Sequence, residues 1–304
     1  MHPATTRTLL RHTRAALLLL ALLPAAAQES PDLEGTGLNF DTDVPYGAQS
    51  PAQILDILYP ADPAADPRPA VVHIHGGGWY TGGKGGQSTF NLLKALADRG
   101  YAGVSIAYRL SDEAKFPAAV EDARLAIRWL RANASAYRID PDHIGAIGAS
   151  AGGHLSAMLA VTADAAEFDG ASGLTEHSSA IQAAVPVCGP MDLRQPLSFS
   201  FGLENDEVVI RFLGGTPIDL PEPARRASPA AYVRPGLPPM LLIHGTDDRR
   251  VELEQSTRFA DALIAAGSPA ELIAVQGGKH GMGIAREPEM VQRIFVFFDQ
   301  HLKE

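Results

Sequence analysis

The stretch IGASAGGHL, residues 147–155, surrounds Ser150 with five residues that carry a methyl group or nothing: Gly148, Ala149, Ala151, Gly152 and Gly153. Two arrangements call for that. Small residues let a helix approach a strand closely, and they also clear a sharp turn of collisions around a serine that must stand out. The flanks favour the second. HIGAIGAS (143–150) reads as a buried strand and AGGHLSAMLAV (151–161) as a helix, so Gly148-x-Ser150-x-Gly152 falls where a strand turns into a helix. A serine there sits on a strained turn with its hydroxyl exposed as a nucleophile.

Upstream, AVVHIH (70–75) is a short β-branched strand that runs into GGGWYTGGKGG (76–86). Consecutive glycines let backbone N–H groups point at a developing negative charge that side chains would otherwise obstruct. A phosphate-binding loop needs Gly-Lys-Ser/Thr opening a helix, and Lys84 is followed by glycine, which removes that reading.

A nucleophilic serine needs a base and an orienting acid. Of ten histidines, His2 and His12 lie in the N-terminal leader, and His75 belongs to the glycine loop, which it braces. His73 lies on the strand before that loop, His154 on the helix after the serine, and His244 at a strand end. No motif supports His143, His177 or His301. His280, in VQGGKHGM (275–282), follows the last predicted strand in a glycine-rich loop that reaches the sheet's carboxyl edge. The order Ser…Asp…His is the one such strand–turn–helix sites use. Between the two, LLIHGTDDRRV (241–251) offers Asp247 and Asp248, and CGPMDL (188–193) offers Asp192. Asp248, four residues after His244 and with Val251 as a packing residue, is the leading acid; Asp192 reads better as a cap for the segment after it.

Strands and helices alternate along the rest of the chain. QILDILY (53–59) reads as an early, partly exposed strand, GVSIAY (103–108) as another, and Phe90 to Arg99 as a helix. Phe116, Val120, Ala123, Ile127 and Leu130 recur at spacings of four and three, one apolar stripe of a helix whose first turn holds Pro117. Arg124, Arg128 and Arg131 fall off that stripe and read as its solvated face. IQAAVPVCG (181–189), MLLIHG (240–245) and AELIAVQG (270–277) are further strands, with helices over 252–267 and near 287–302. Such alternation implies an α/β fold, a mostly parallel sheet with helices on both faces. The polar segment 28–42 reads as an irregular lead-in, and 194–229 as an insertion over the carboxyl edge of the sheet.

These pieces together resemble a known family. DVPYG (43–47), VVHIHGGGWYTGGK (71–84), the run from Tyr108 to Leu155, PPMLLIHGTDDRRV (238–251) and GGKHG (277–281) are similar to exported esterases of the α/β-hydrolase superfamily. The nearest group is that of bacterial acetyl-xylan and feruloyl esterases, with the hormone-sensitive-lipase-like esterases close by. The resemblance implies an α/β-hydrolase fold, Ser150 as nucleophile, His280 as base and Asp248 as acid. It also implies the amides of Gly77, Gly78 and Ala151 as an oxyanion hole, and it calls for no metal or organic cofactor. Trp79, Tyr80, Phe199 and Phe201 are candidate pocket walls. The lipase-like relatives usually place aspartate before the serine and carry an N-terminal helical cap; Ala149 and a short strand-like N-terminal segment stand here instead, which favours an open site. An amidase or arylformamidase on the same fold is the alternative activity, and a non-catalytic binding protein is a third reading.

Bulk properties narrow the setting. The 304 residues are 46% hydrophobic with formal net charge −10 and a pI near 5.4, so no basic face calls for nucleic acid. The expected partner is a small-molecule or oligosaccharide ester; nothing in the sequence sets an oligomeric state. Cys188 is the single cysteine, so no intrachain disulfide forms, and within AAVPVCG it reads as a small buried hydrophobe. Arg7, Arg11 and Arg14 precede the apolar run 15–23 and an Ala25-x-Ala27 site, the pattern of a secretory signal cleaved after Ala27. That run is shorter than the roughly 20 residues of a membrane span, so export without a stable membrane anchor is expected. Cleavage removes three arginines and no acid, leaving residues 28–304 as an acidic catalytic domain.

Overall fold

The computed structural model describes residues 33–303 apart from 63–65, 172, 195–204, 282 and 284–286. Eight strands form one sheet in the order β1-β2-β4-β3-β5-β6-β7-β8: β1 (Leu38–Pro45), β2 (Ile54–Pro60), β3 (Arg68–Ile74), β4 (Ala102–Ile106), β5 (Ile139–Ala149), β6 (Ala183–Val187), β7 (Met240–Gly245) and β8 (Ala270–Val275). From β4 to β8 all pairs are parallel; β1–β2 and β2–β4 are antiparallel. This is the α/β-hydrolase architecture expected of the sequence.

Alternation along the strands sets the two layers. Val71, Ile147, Val185, Leu241 and Ile243 face one side, where helices α1 (Gln87–Ala97) and α8 (Pro288–Leu302) bring Leu96, Ile294, Phe295 and Phe298. Val72, Ile74, Val104, Ala146 and Leu242 face the other, against α2 (Ala118–Ala132), α4 (Ala151–Val161) and α7 (Leu253–Ala265). Between α2 and β5 lies the one-turn α3 (Ala134–Tyr137). Among the described residues no helix is long and apolar enough to cross a membrane.

Three sequence expectations change. The lead-in over 28–42 contains most of β1, an edge strand whose register shifts between Asp41 and Val44, with Asp43 at φ 55°. The strand in QILDILY is more buried than its reading suggests: β2 lies between β1 and β4, Leu55, Ile57 and Leu58 are fully buried, and only Ile54 and Tyr59 of that stretch keep partial exposure. Arg124 and Arg128 are not a solvated face either. Both are buried, because the chain after α4 folds back over α2 and supplies Asp169, 2.7 Å from Arg124 and paired also with Arg128. Arg131 alone stays near solvent, donating to Pro141 O and Ser178 O. The apolar stripe itself packs inward as expected, with Val120, Ala123, Ile127 and Leu130 buried, while Pro117 caps α2 rather than lying inside it.

The described part of 194–229 contains α5 (Asn205–Leu213) and α6 (Pro221–Arg226). Phe116 N–H donates to Phe212 O at 2.8 Å, and Phe212 stacks on Trp79 with ring centroids 4.3 Å apart. The segment therefore lies against the glycine loop that follows β3.

Candidate active site

Ser150 stands between the end of β5 and the first residue of α4, at φ 57°, ψ −121°. Residues other than glycine rarely adopt a positive φ, and one held there stores about 1–3 kcal/mol of strain. Hydrogen bonds fix it on both sides: Ser150 N–H donates to Val187 O at 2.9 Å, and Ser150 O accepts from His154 N–H at 2.9 Å. The small neighbours are required by backbone contact. A Cβ on Gly152 would lie 2.0 Å from Ile74 O, so the start of α4 presses directly on the end of β3.

Ser150 Oγ lies 2.9 Å from His280 Nε2, and His280 Nδ1 lies 2.8 Å from Asp248 Oδ2. Asp248 follows β7 and His280 follows β8, so all three groups meet at the carboxyl ends of parallel strands. An ionised carboxylate only accepts; Nδ1 therefore carries the proton, and Nε2 is left to accept from the Ser150 hydroxyl. The other oxygen, Asp248 Oδ1, accepts Arg250 N–H at 2.8 Å and Val251 N–H at 3.1 Å. Burial pushes the Asp248 carboxyl up, but hydrogen bonds from His244, His280 and the Arg250 amide outweigh it and hold the group well below the usual carboxylate range. For His280, burial works to lower the pKa; the hydrogen bond to Asp248, joined by the contact with Cys188, overrides it and pushes the imidazole up to about 9.

The competing acids are elsewhere. The Asp247 amide donates to Gly278 O at 2.9 Å, and its side chain lies beside Thr246. Asp192 holds the Arg194 guanidinium at 2.8 and 2.7 Å and lies 3.4 Å from Ser228 Oγ, at the root of the insertion.

The glycine loop runs alongside the serine: a Cβ on Gly76 would sit 3.5 Å from Ser150 Cβ. Gly77, at φ 110°, accepts from Tyr80 N–H (3.2 Å) and Thr81 N–H (3.1 Å), which closes the turn on its carbonyl. A Cβ there would lie 2.1 Å from Thr81 O, so only glycine fits. Gly78 follows at φ 60°. Ala151 opens α4, where helix geometry leaves N–H groups without intrahelical acceptors. His75 braces the loop as expected: Nδ1–H donates to Gly76 O at 2.7 Å, and the ring stacks on Tyr108 at 4.2 Å. Tyr108 OH in turn donates to His75 O at 3.1 Å, a support that no motif announced.

Trp79 is not a pocket wall. It is 3% exposed, lies on Phe212, and donates its Nε1–H to His154 Nδ1 at 3.2 Å. Tyr80 is half-buried, with the Arg211 guanidinium of α5 4.7 Å above its ring. Phe199 and Phe201 lie outside the described residues, as does the expected leader over 1–27. Sequence reasoning gave His154 no role. It is fully buried and neutral, its pKa lowered to about 4 by burial despite the hydrogen bond to Ala227 O. Nε2–H donates to Ala227 O at 2.7 Å, so one ring ties together the nucleophile helix, the glycine loop and the insertion. His154→Ala leaves the Trp79 donor and the Ala227 carbonyl unpaired and opens a cavity; we expect about 2–4 kcal/mol lost in chemical denaturation. A loss under about 0.5 kcal/mol would show that the three elements hold together without it.

Residues 55–263 match the BD-FAE family. The chain belongs to that family. Among curated relatives of this BD-FAE protein, "Esterase LipQ" of Mycobacterium tuberculosis is 34% identical over 75% of the chain and 53% of its own length. "Esterase LipC" of the same organism is 32% identical over 84% and 64%. The chain thus spans between half and two thirds of those relatives. Among solved structures, a "Truncated form of carbohydrate esterase from gut microbiota" superposes with a TM-score of 0.79 at 28% identity, covering 88% of this chain and 97% of that one. "Thermogutta terrifontis esterase 2 phosphoramylated by tabun" superposes at 0.69 with 29% identity over 90% and 96%.

Proposed function

We propose that this BD-FAE protein is a serine carboxylic-ester hydrolase working through an acyl-enzyme, with Ser150 as nucleophile, His280 as general base and then acid, and Asp248 as the orienting carboxylate. The observation that carries the reading is the unbroken Ser150–His280–Asp248 hydrogen-bonded line on a strained turn beside the glycine loop. Neutral His280 takes the Ser150 proton as Oγ attacks the ester carbonyl. The amides of Gly77, Gly78 and Ala151 stabilise the oxyanion. His280 protonates the departing alcohol, and water repeats the sequence on the acyl-enzyme. Asp248 stays ionised and stabilises the imidazolium.

For substrate, we infer either short-chain esters or the acetyl and hydroxycinnamoyl esters found on plant polysaccharide. Support comes from the carbohydrate-esterase neighbour and from α5: a Cβ on Gly78 would meet Val208 Cγ1 at 2.9 Å, so the insertion crowds the glycine loop. The reading includes export, supported by the basic residues and apolar run within 1–27. The test is a panel of p-nitrophenyl acetate, butyrate and octanoate, methyl ferulate, acetylated xylan and an anilide, with Ser150→Ala as control. Turnover falling steeply beyond butyrate, with acetate released from xylan, fits the reading. Preferred turnover of the anilide would move it to an amidase, and rates equal to the control on every ester would end it.

The pH dependence has a defined sign. His280 must be neutral to act as base, and its pKa lies above the ordinary 6.5, at about 9. Measured with EDTA present, kcat/KM rises with pH through a limb placed above 6.5. Stability runs the other way: a raised pKa contributes stability that is full below 6.5 and is lost as pH rises through the folded value. An acid limb at or below 6.5 would show that the Asp248 contact does not raise the free enzyme's imidazole.

A further inference from the structure

Cys188 takes no part in the mechanism above, yet it stands inside its machinery. The residue follows β6 at φ 40° and is fully buried, and its Sγ accepts the Gly281 N–H at 3.3 Å, immediately after the base. One donor atom each from Cys188, Asp248 and His280 lie mutually within 4.8 Å. Thiol, imidazole and carboxylate together form a donor set suited to a borderline-soft divalent cation. Around tetrahedral zinc such atoms stand roughly 3.3–3.8 Å apart, so the widest separation contracts while the 2.8 Å Nδ1–Oδ2 pair opens by about half an ångström, both within reach of small side-chain rotations.

The geometry points to a binding site for a thiophilic divalent cation, Zn2+ or Co2+, formed by Cys188 Sγ, Asp248 Oδ2 and His280 Nδ1, whose occupation takes His280 out of the reaction. The consequence follows from the proton count. Today Nδ1 carries the imidazole proton and Nε2 accepts from Ser150. A cation between Nδ1 and Oδ2 occupies the place of that proton, which moves to Nε2; the Cys188 thiol gives its own proton to solvent and binds as thiolate. Protein charge and metal charge then balance at the site, with one carboxylate and one thiolate against two positive charges. Nε2 has become a donor toward Ser150 Oγ and can no longer take its proton. Inhibition of this kind leaves the substrate cleft open, since the cation sits behind the imidazole and not on the serine. Asp248 can serve because its Oδ1 holds the two backbone amides, while Oδ2, 2.8 Å from His280 Nδ1 and 3.3 Å from His244 Nε2, is the oxygen that faces the imidazole and would turn to the cation. His280, the least buried of the three, stands at the open side.

The inhibitory half rests on the esterase reading; the binding half does not, and the experiment separates them. Ser150→Ala protein, kept reduced and titrated with Co2+, develops a thiolate-to-cobalt charge-transfer band in the near ultraviolet that saturates at one equivalent. The double variant Ser150→Ala/Cys188→Ser shows no such band. In parallel, Zn2+ inhibits the wild type reversibly, with recovery on adding EDTA. Cys188→Ser, which keeps an acceptor for the Gly281 N–H, raises the half-inhibiting concentration by at least about tenfold relative to its own metal-free rate. Absence of the thiolate band overturns the proposal, as does equal Zn2+ sensitivity of wild type and Cys188→Ser. Should Cys188→Ser not fold, Cys188→Ala takes its place, and the cobalt spectrum of the Ser150→Ala protein decides alone. A protein that hydrolyses no ester but shows the band loses the esterase reading and keeps the site.

Discussion

Ser150→Ala lowers kcat/KM on p-nitrophenyl acetate by about 10⁴- to 10⁶-fold, the range found when a hydrolase nucleophile is removed. The change deletes only Oγ, whose described partner is His280 Nε2 at 2.9 Å; both backbone hydrogen bonds of Ser150 remain. The folded structure therefore survives, and the unfolding midpoint stays within a few degrees of the wild type. Residual turnover reflects the glycine loop acting on bound ester with water as nucleophile. A fall of less than about 100-fold, in protein shown free of wild-type contamination, would put the nucleophile elsewhere.

Asp248→Asn carries the second-largest effect, about 10⁴-fold in kcat. Its direction follows from which oxygen does what. The side-chain oxygen at the Oδ1 position must keep accepting the Arg250 and Val251 amides at 2.8 and 3.1 Å, so the new NH2 group replaces Oδ2 and faces His280 Nδ1. Two donors cannot face each other, and the imidazole moves its proton to Nε2, where it points at Ser150. The base becomes a donor with every heavy atom in place. Binding of unreacted ester changes little, so the loss appears in kcat and not in KM. Loss confined to KM would assign Asp248 to substrate positioning. The same variant removes the Asp248 contribution that raises His280, leaving burial opposed by Cys188 alone, and the imidazole pKa falls.

The site was legible in the sequence to the extent that its chemistry is written in short motifs. Ser150, Asp248 and His280 each follow a predicted strand, and parallel strands deliver their carboxyl ends to one edge. What the sequence hid depends on partners distant along the chain. Arg124 and Arg128 look like a wet face because their counterion, Asp169, arrives only after α4 and its return loop. Trp79 looks like a pocket wall because it adjoins the glycine loop; its burial depends on His154 and Phe212, which no local pattern connects to it. The strand β1 alternates only over Leu38-Asn39-Phe40-Asp41 before Asp43 at φ 55° and a shift in register break it, so the signal is too short to stand out from the polar segment around it. Cys188 reads as an ordinary small hydrophobe, which its burial bears out, while its nearness to His280 comes from both residues following the carboxyl ends of parallel strands, β6 and β8, on either side of β7.

The positive φ of Ser150 sets function against durability at a single residue. Glycine in its place reaches the same backbone conformation without the side-chain penalty, so the chain with no nucleophile is relieved of strain that the complete chain must carry. Where selection acts on persistence alone, as in a copy that has lost its substrate, this position is the first expected to drift. Its neighbours Gly148 and Gly152 stay fixed by the backbones pressed against them. A lineage that has kept the serine has been held to the reaction.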